Sequence, residues 1–182
     1  AEPIHLSESD RSVLRELARQ VAEIAADPVN DERRELWRKL NDRDAQRPMI
    51  WINEIPWHEM DVDGELTLRT QHAWARDQER EMRRTIYQWR HMPGDMIVNP
   101  ELVCPLAIHS TDFGIIEDVD IVRTDETSDI VSRRFHKQIH DVDDLEKIRM
   151  PVVTHNVEAT EYGYAAMCDI FSDILQVRQV GQ

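Results

Sequence analysis

The chain is poor in cysteine and has no long apolar run. Its two cysteines, Cys104 and Cys168, are too few for a disulfide scaffold and are typical of a reducing compartment. No apolar stretch approaches the roughly 20 residues that a transmembrane helix needs. The polar residues 1–10 also lack the basic-then-apolar profile of a signal peptide. We therefore predict a cytoplasmic protein with no membrane partner.

Positive charge is also scarce. The 22 lysines and arginines stand against 36 aspartates and glutamates, which gives the 182-residue chain a formal net charge of −14. The electrostatic field of this excess negative charge repels phosphate backbones, so we predict that nucleic acid is not a partner. The partner that we predict is a small-molecule substrate. Hydrophobic residues make up 41% of the chain, which is enough for one domain with a core.

The common cofactor and nucleophile motifs are missing. The chain contains no GxGxxG, GxxxxGKS/T, HExxH, CxxC or GxSxG sequence, so the familiar dinucleotide, P-loop, zinc and serine-hydrolase signatures are absent. Cys104 and His109 are five residues apart, which is not a recognised zinc pair. We therefore predict no metal site built from this chain.

Several signals converge on residues 47–60. The apolar run Met49–Ile52 follows Pro48 and is typical of a buried strand in a parallel sheet. Polar, ionisable and aromatic residues crowd directly after it, as they do where an α/β enzyme places side chains at the carboxyl end of its sheet. The alternative is an ordinary surface loop whose tryptophan packs on a neighbouring helix.

Periodicity organises the rest of the chain. Apolar stripes predict helices over residues 7–26, 31–40, 71–91, 141–149 and 158–171. Strands are predicted at 49–52, 96–98 and 174–180, with hairpin excursions at 103–109, 113–123 and 129–135. The order strand, long helix, strand from 49 to 98 predicts a parallel βαβ unit.

A carboxylate-rich rim with one histidine is the candidate site. In a parallel unit Glu101 would follow the second strand, at the same edge as Asn53 and Glu54. Such a rim can bind a metal, exchange protons, or orient a cationic or polyhydroxylated ligand. We predict catalytic roles for Glu54, His58 and Glu101, and substrate-binding roles for Asn53, Trp57 and Glu59.

Six segments of the chain resemble the uroporphyrinogen decarboxylase-like superfamily, in particular its branch of uncharacterised and corrinoid-dependent methyltransferase-type proteins. The likeness spans about residues 31–180, and no single segment is diagnostic of an activity. The segments are RRELWRKL (33–40), RPMIWINEIPWHEM (47–60), ELTL (65–68), RRTIYQWRHMPGD (83–95), DLEKIRMPVV (144–153) and IFSDILQV (170–177).

The resemblance implies an α/β fold of the TIM (β/α)₈-barrel type, with its cleft at the carboxyl end of the strands. A complete barrel takes about 250 residues, so we expect a partial barrel. Residues 1–46 would be a helical lead-in, and residues 47–182 the first, incomplete part of the barrel with β-hairpin excursions. The chain would then be the N-terminal portion of a larger protein, or a half completed by a homo-oligomer or a complementing chain.

The resemblance also implies an activity. The chain would belong to a corrinoid-dependent methyltransferase or demethylase that acts on a small methylated compound and passes the methyl group to a corrinoid protein. Zinc would be held by thiolates and a histidine of the family's later half, outside this chain. The alternatives are a non-catalytic half-barrel subunit and, more weakly, uroporphyrinogen decarboxylase itself. The decarboxylases carry an arginine-bearing RQAGR-type motif where residues 53–58 here have no arginine.

Overall fold

The computed structural model describes residues 2–61, 63–123 and 131–181. These residues form α-helices, short strands and one 3₁₀ helix. In chain order they are α1 (Glu8–Ala25), α2 (Val29–Asn41), α3 (Trp57–Met60), α4 (Ala73–His91), β1 (Glu101–Pro105), β2 (Ile108–Ser110), β3 (Val119–Val122), β4 (Ser132–Phe135), the 3₁₀ helix Asp143–Lys147, β5 (Val153–His155), α5 (Val157–Phe171) and β6 (Gln176–Val180).

Helices α1 and α4 pack against each other and carry much of the core. Leu14 and Leu17 of α1 and Met82 and Ile86 of α4 are buried in one apolar cluster. The two helices are also joined at their N-terminal ends, because the buried Asp10 carboxylate accepts the backbone N–H groups of residues 71 and 72, at 2.9 and 3.1 Å. A carboxylate of α1 thus satisfies N–H groups just before α4, whose own N-cap residue makes no side-chain cap bond.

The parallel sheet lies later in the chain than the sequence predicts. β1 pairs in parallel with β6, from Glu101 opposite Gln176 to Pro105 opposite Val180. Helix α5 precedes β6 and packs on both strands. These elements form a parallel pair with a helical crossover, and the strand predicted at 174–180 is confirmed at Gln176–Val180.

The predicted partial TIM barrel is wrong. The described residues contain six short strands in three two-stranded sheets, and no barrel is formed. Neither 49–52 nor 96–98 is a strand, so the βαβ unit expected between them does not exist. Ile50 and Trp51 are more than half exposed, whereas a strand inside a parallel sheet would be buried.

Side chains of α2 explain why residues 96–98 need no neighbouring strand. Met96 and Val98 are buried in the core. Arg33 donates a hydrogen bond to the Met96 carbonyl, and the Asn30 side chain accepts the Val98 N–H, both at 2.8 Å. Buried backbone N–H and C=O groups need hydrogen-bond partners. Here the side chains of α2 supply them, where a neighbouring strand would do so in a sheet. An apolar run of this sort looks like a strand in the sequence and is a core-packed extended segment in the fold.

The excursion between β1 and α5 is built from two antiparallel pairs. β2 pairs with β5, and β3 pairs with β4. Two of the predicted excursion segments, 113–123 and 129–135, contain β3 and β4 and are confirmed as a paired excursion where they are described, while residues 129 and 130 lie outside the described residues. The expectation for 103–109 is wrong, because residues 103–105 belong to β1, which pairs in parallel with β6. In the described part of the chain, no helix is both long and apolar enough to cross a bilayer.

Candidate functional site

Residues 57–60 form a single helical turn that lies against α4. The Tyr87 hydroxyl donates a hydrogen bond to the Met60 carbonyl at 2.9 Å, and its ring meets the Trp57 ring edge-on with 6.2 Å between centroids. One residue further along α4, the Gln88 amide donates to the Ile52 carbonyl at 2.7 Å. Tyr87 and Gln88 of α4 therefore hold residues 60 and 52, the two ends of the segment that contains most of the predicted site residues.

His58 is the least satisfied polar side chain of this turn. Only 13% of its side chain is exposed, and its Nδ1 atom is buried without a hydrogen-bond partner among the described residues. Its Nε2 atom lies 3.4 Å from a carboxylate oxygen of Glu59. A buried polar atom without a partner costs about 1–3 kcal/mol, and most buried polar atoms avoid that cost. The imidazole is therefore held in place by packing and not by a fixed hydrogen-bond network.

A cleft of about 320 Å³ opens beside His58. Trp57 forms one side of it, and the guanidinium of Arg84 lies over the Trp57 ring, 5.1 Å from its centroid. The full lining comprises Trp57, His58, Asp61, Leu66, Leu68, Arg80 and Arg84. This combination of an aromatic wall, a histidine and cationic groups can hold a small ligand and move a proton.

Three predicted residues are exposed and do not line this cleft. Asn53 and Glu54 precede α3, and Glu59 projects from it. Glu59 is the one with a described contact to a site residue, the 3.4 Å approach to His58. The structure thus brings together Trp57, His58 and Glu59, and places Asn53 and Glu54 on the exposed segment leading to them.

Glu101 occupies a different place. It is the first residue of β1, and both of its carboxylate oxygens accept hydrogen bonds from Arg178 at 3.0 Å. That hydrogen bonding holds the pKa of the Glu101 carboxyl below its ordinary value. Glu101 lines a separate cleft of about 370 Å³ together with Trp51, so the structure does not join it to His58. Its predicted position depended on a strand ending just before it, and that strand is not formed.

A second cleft, between α1 and α4, is a weaker candidate site. It measures about 470 Å³, but several of its charged groups already pair within the protein. Glu65 accepts hydrogen bonds from Arg90 at 3.2 Å and lies 2.7 Å from the His91 ring nitrogen. Arg83 donates to the buried Glu79 at 2.7 Å. These contacts join α4 to the loop before it and leave few free charged groups in the cleft, so we interpret this cleft as structural.

The described residues do not fit the zinc centre that the family resemblance implies. In residues 2–61, 63–123 and 131–181 no group of three or more histidines, cysteines, aspartates and glutamates could hold a metal ion. By the resemblance, zinc ligands belong to the later half of the family, and no step below is assigned to a metal.

Sequence reasoning missed Arg84. Arg80, on the same helix, pairs with a nearby acid, Asp77, at 2.6 Å. Arg84 has Arg80 four residues before it, Gln88 four residues after it and Glu81 three residues before it, so the sequence offers an acid at one helical-pair position. Glu81 and Arg84 form no ion pair in the fold, and the sequence carried no signal that the Arg84 guanidinium lies over the Trp57 ring instead.

Comparison with protein-family models, with curated proteins and with solved structures finds no match to this chain. The resemblance to the uroporphyrinogen decarboxylase-like superfamily therefore stays a prediction from the six sequence segments.

Proposed function

We propose that this chain is the N-terminal portion of a uroporphyrinogen decarboxylase-like enzyme that removes a methyl group from a small compound for transfer to a corrinoid protein. The six resembling segments support the class of enzyme. The observation that carries the site is His58, a nearly buried histidine that lines a cleft with Trp57 and Arg84 and whose Nδ1 has no partner among the described residues.

The chain's own residues would bind the substrate and supply a proton. When the methyl group leaves, the substrate's heteroatom keeps the electron pair of the broken bond and gains a proton. His58 would donate that proton, and Glu59 would stabilise the protonated imidazole from 3.4 Å. Trp57 would hold the apolar body of the substrate. Glu54 stays a predicted rim residue, and Glu101, paired with Arg178 in a separate cleft, has no part in this step.

The activity can be tested directly in solution. Purified protein would be incubated without oxygen with cob(I)alamin, as a free corrinoid acceptor, and with methoxylated aromatics, methylamines or methyl thioethers in turn. The proposal expects enzyme-dependent loss of the cob(I)alamin absorbance with at least one of these compounds. No acceleration over the protein-free reaction with any of the three classes would contradict it.

An assembly subunit without catalysis is the second candidate, and one specific observation favours it. Large apolar side chains are exposed along the excursion between β1 and α5. Their exposed fractions are 59% for Phe113, 66% for Ile116, 62% for Phe135, 77% for Val142 and 87% for Met150. Apolar exposure on this scale is typical of an interaction surface.

The molar mass of the isolated chain tests this second candidate. If two or more copies of the chain associate through this surface, light scattering after size-exclusion chromatography should give a mass well above the 21.4 kDa of one chain. A stable species of 21.4 kDa over a wide concentration range would contradict self-assembly.

A further inference from the structure

Arg84 is a half-buried arginine whose guanidinium makes no hydrogen bond or ion pair with any residue that the structure describes. Its one described contact is the face of the Trp57 ring. Every other arginine of α4 donates to an oxygen; these are Arg76 to Thr70, Arg80 to Asp77, Arg83 to Glu79 and Arg90 to Glu65. A guanidinium offers five N–H donors in a planar fork that matches a carboxylate. Although the chain has a net charge of −14, Arg84 forms no ion pair with an acid among the described residues.

The other charged groups of the cleft are occupied. Both carboxylate oxygens of Asp61 accept hydrogen bonds from the following turn, one from the Leu66 N–H at 2.9 Å and one from the Thr67 hydroxyl at 3.0 Å. Arg80 donates to Asp77, which is on its own helix. Among the charged side chains described around this cleft, Arg84 is therefore the one whose hydrogen-bonding groups have no protein partner, and an anion beside it would replace water as the partner of those donors.

Apart from His58, the rest of the lining is apolar. Leu66, Leu68 and the Trp57 ring form walls beside the guanidinium. An inorganic anion would leave these walls without contacts, whereas an organic acid would cover them. The contact with the Trp57 ring keeps the Arg84 guanidinium at the cleft, where its planar fork of donors can meet a carboxylate in a bidentate arrangement.

We propose that this cleft binds a small monocarboxylate with an aromatic or branched apolar body, with the carboxylate on Arg84 and the body against Trp57 and Leu68. The inference concerns the same cleft as the proposed function and rests on it in one respect, namely that the bound carboxylate is the methylated substrate. The anion site itself depends only on the contacts around Arg84.

Isothermal titration of the full-length protein with benzoate and with benzamide tests the anion site. The two probes have the same shape and differ in charge. We expect benzoate to bind and benzamide to bind at least about tenfold more weakly, because only the carboxylate engages the guanidinium with a full charge. Equal affinity for the two probes, or no benzoate binding, would overturn the proposal.

Three variants locate the charge. Arg84→Gln should weaken benzoate binding about tenfold or more, and Arg84→Lys should weaken it less, because a lysine keeps the charge but loses the planar fork. Arg90→Gln changes the net charge equally on the same helix but lies outside this cleft, so benzoate affinity should be unchanged. If Arg84→Gln does not fold, the lysine variant and the benzamide comparison decide. Equal losses in the Arg84 and Arg90 variants would overturn the proposal.

The outcomes separate this inference from the proposed function. Benzoate binding that depends on Arg84, in a protein that transfers no methyl group, would support the anion site and contradict the enzyme assignment. Methyl transfer in a protein that binds benzoate and benzamide equally would support the enzyme and overturn the carboxylate site.

Discussion

Asp95 and Ile50 are joined by two hydrogen bonds that close a ring. The Asp95 backbone N–H donates to the Ile50 carbonyl, and the Ile50 N–H donates to the Asp95 carboxylate, both at 2.8 Å. Gly94 allows this approach, since it has a φ of +49° and a side chain there would meet the Ile50 carbonyl oxygen at 2.9 Å. The carboxylate also binds Arg47. One side chain thus holds the extended segment before the candidate site in place.

Replacing Asp95 should loosen this anchor. Asp95→Asn removes the charge that Arg47 and the Ile50 N–H share, and hydrogen bonds to charged groups contribute about 1.5–3 kcal/mol. We expect the free energy of unfolding, measured by urea denaturation, to fall by about that amount. Asp77→Asn is the control, because its exposed pair with Arg80 should contribute less than about 1 kcal/mol. Equal losses in the two variants would show that Asp95 is not an anchor.

The Asp95 carboxylate should also make the free energy of unfolding depend on pH. Hydrogen bonds from Arg47 lower the pKa of Asp95 from 3.8 to about 2 in the folded protein. A carboxyl with a lowered folded-state pKa stabilises the fold fully above its unfolded pKa of about 4, and this stabilisation is lost as the pH falls toward about 2. Unfolding free energies measured across that window should therefore fall less steeply in Asp95→Asn than in the wild type. Parallel curves would contradict the assignment.

Glu79 should be the most sensitive carboxylate of α4. Its side chain is fully buried and accepts the N–H groups of Arg69 and Thr70, the Thr70 hydroxyl and the Arg83 guanidinium. Burial raises the pKa of this carboxyl, but these hydrogen bonds outweigh burial and bring its pKa below the ordinary value. Glu79→Gln leaves Arg83 buried without its partner, so we expect a loss of about 3–5 kcal/mol of unfolding free energy. The exposed Glu81→Gln should change it by less than about 0.5 kcal/mol.

The exposed apolar residues of the excursion predict a separable effect on association. Val142 and Met150 are largely in solvent, so replacing both with lysine should leave the unfolding transition of the chain nearly unchanged. If they form an interface, the same change should lower the mass measured by light scattering. A double variant that assembles as the wild type does would place any interface elsewhere.

Helices α1 and α4 were predictable because each has a regular apolar face, whereas the helix predicted at 141–149 is only a short 3₁₀ helix without a buried residue. The stripe through Leu14, Leu17 and Val21 predicts α1, and the stripe through Met82 and Ile86 predicts α4; both are confirmed within a few residues. A periodic face depends only on neighbouring positions of the chain. It can therefore be recognised without knowing what it packs against.

The barrel prediction failed because it depended on apolar runs. Such runs do not show which groups will form hydrogen bonds with the backbone N–H and C=O groups. At residues 96–98 the partners are Asn30 and Arg33 of α2, some 63–68 positions away. At residue 50 the partner is the Asp95 side chain. These long-range contacts take the place of a sheet.

The candidate site was predictable where it is local. Trp57 and His58 are adjacent in one turn, so their proximity required no assumption about the fold. Glu101 was tied to them only through the expected parallel strands, and the structure pairs it with Arg178 instead. Arg84 was missed because its partner is the Trp57 ring and not an acid of its own helix.

The methyl-transfer rate of His58→Gln in the full-length protein tests the central claim most directly. If His58 donates the proton, the variant should lose about 100-fold or more in rate, with unchanged far-ultraviolet circular dichroism. His5→Gln, at an exposed position, should retain the wild-type rate. A His58→Gln variant that transfers methyl groups as fast as the wild type would contradict the claim that this cleft is the active site.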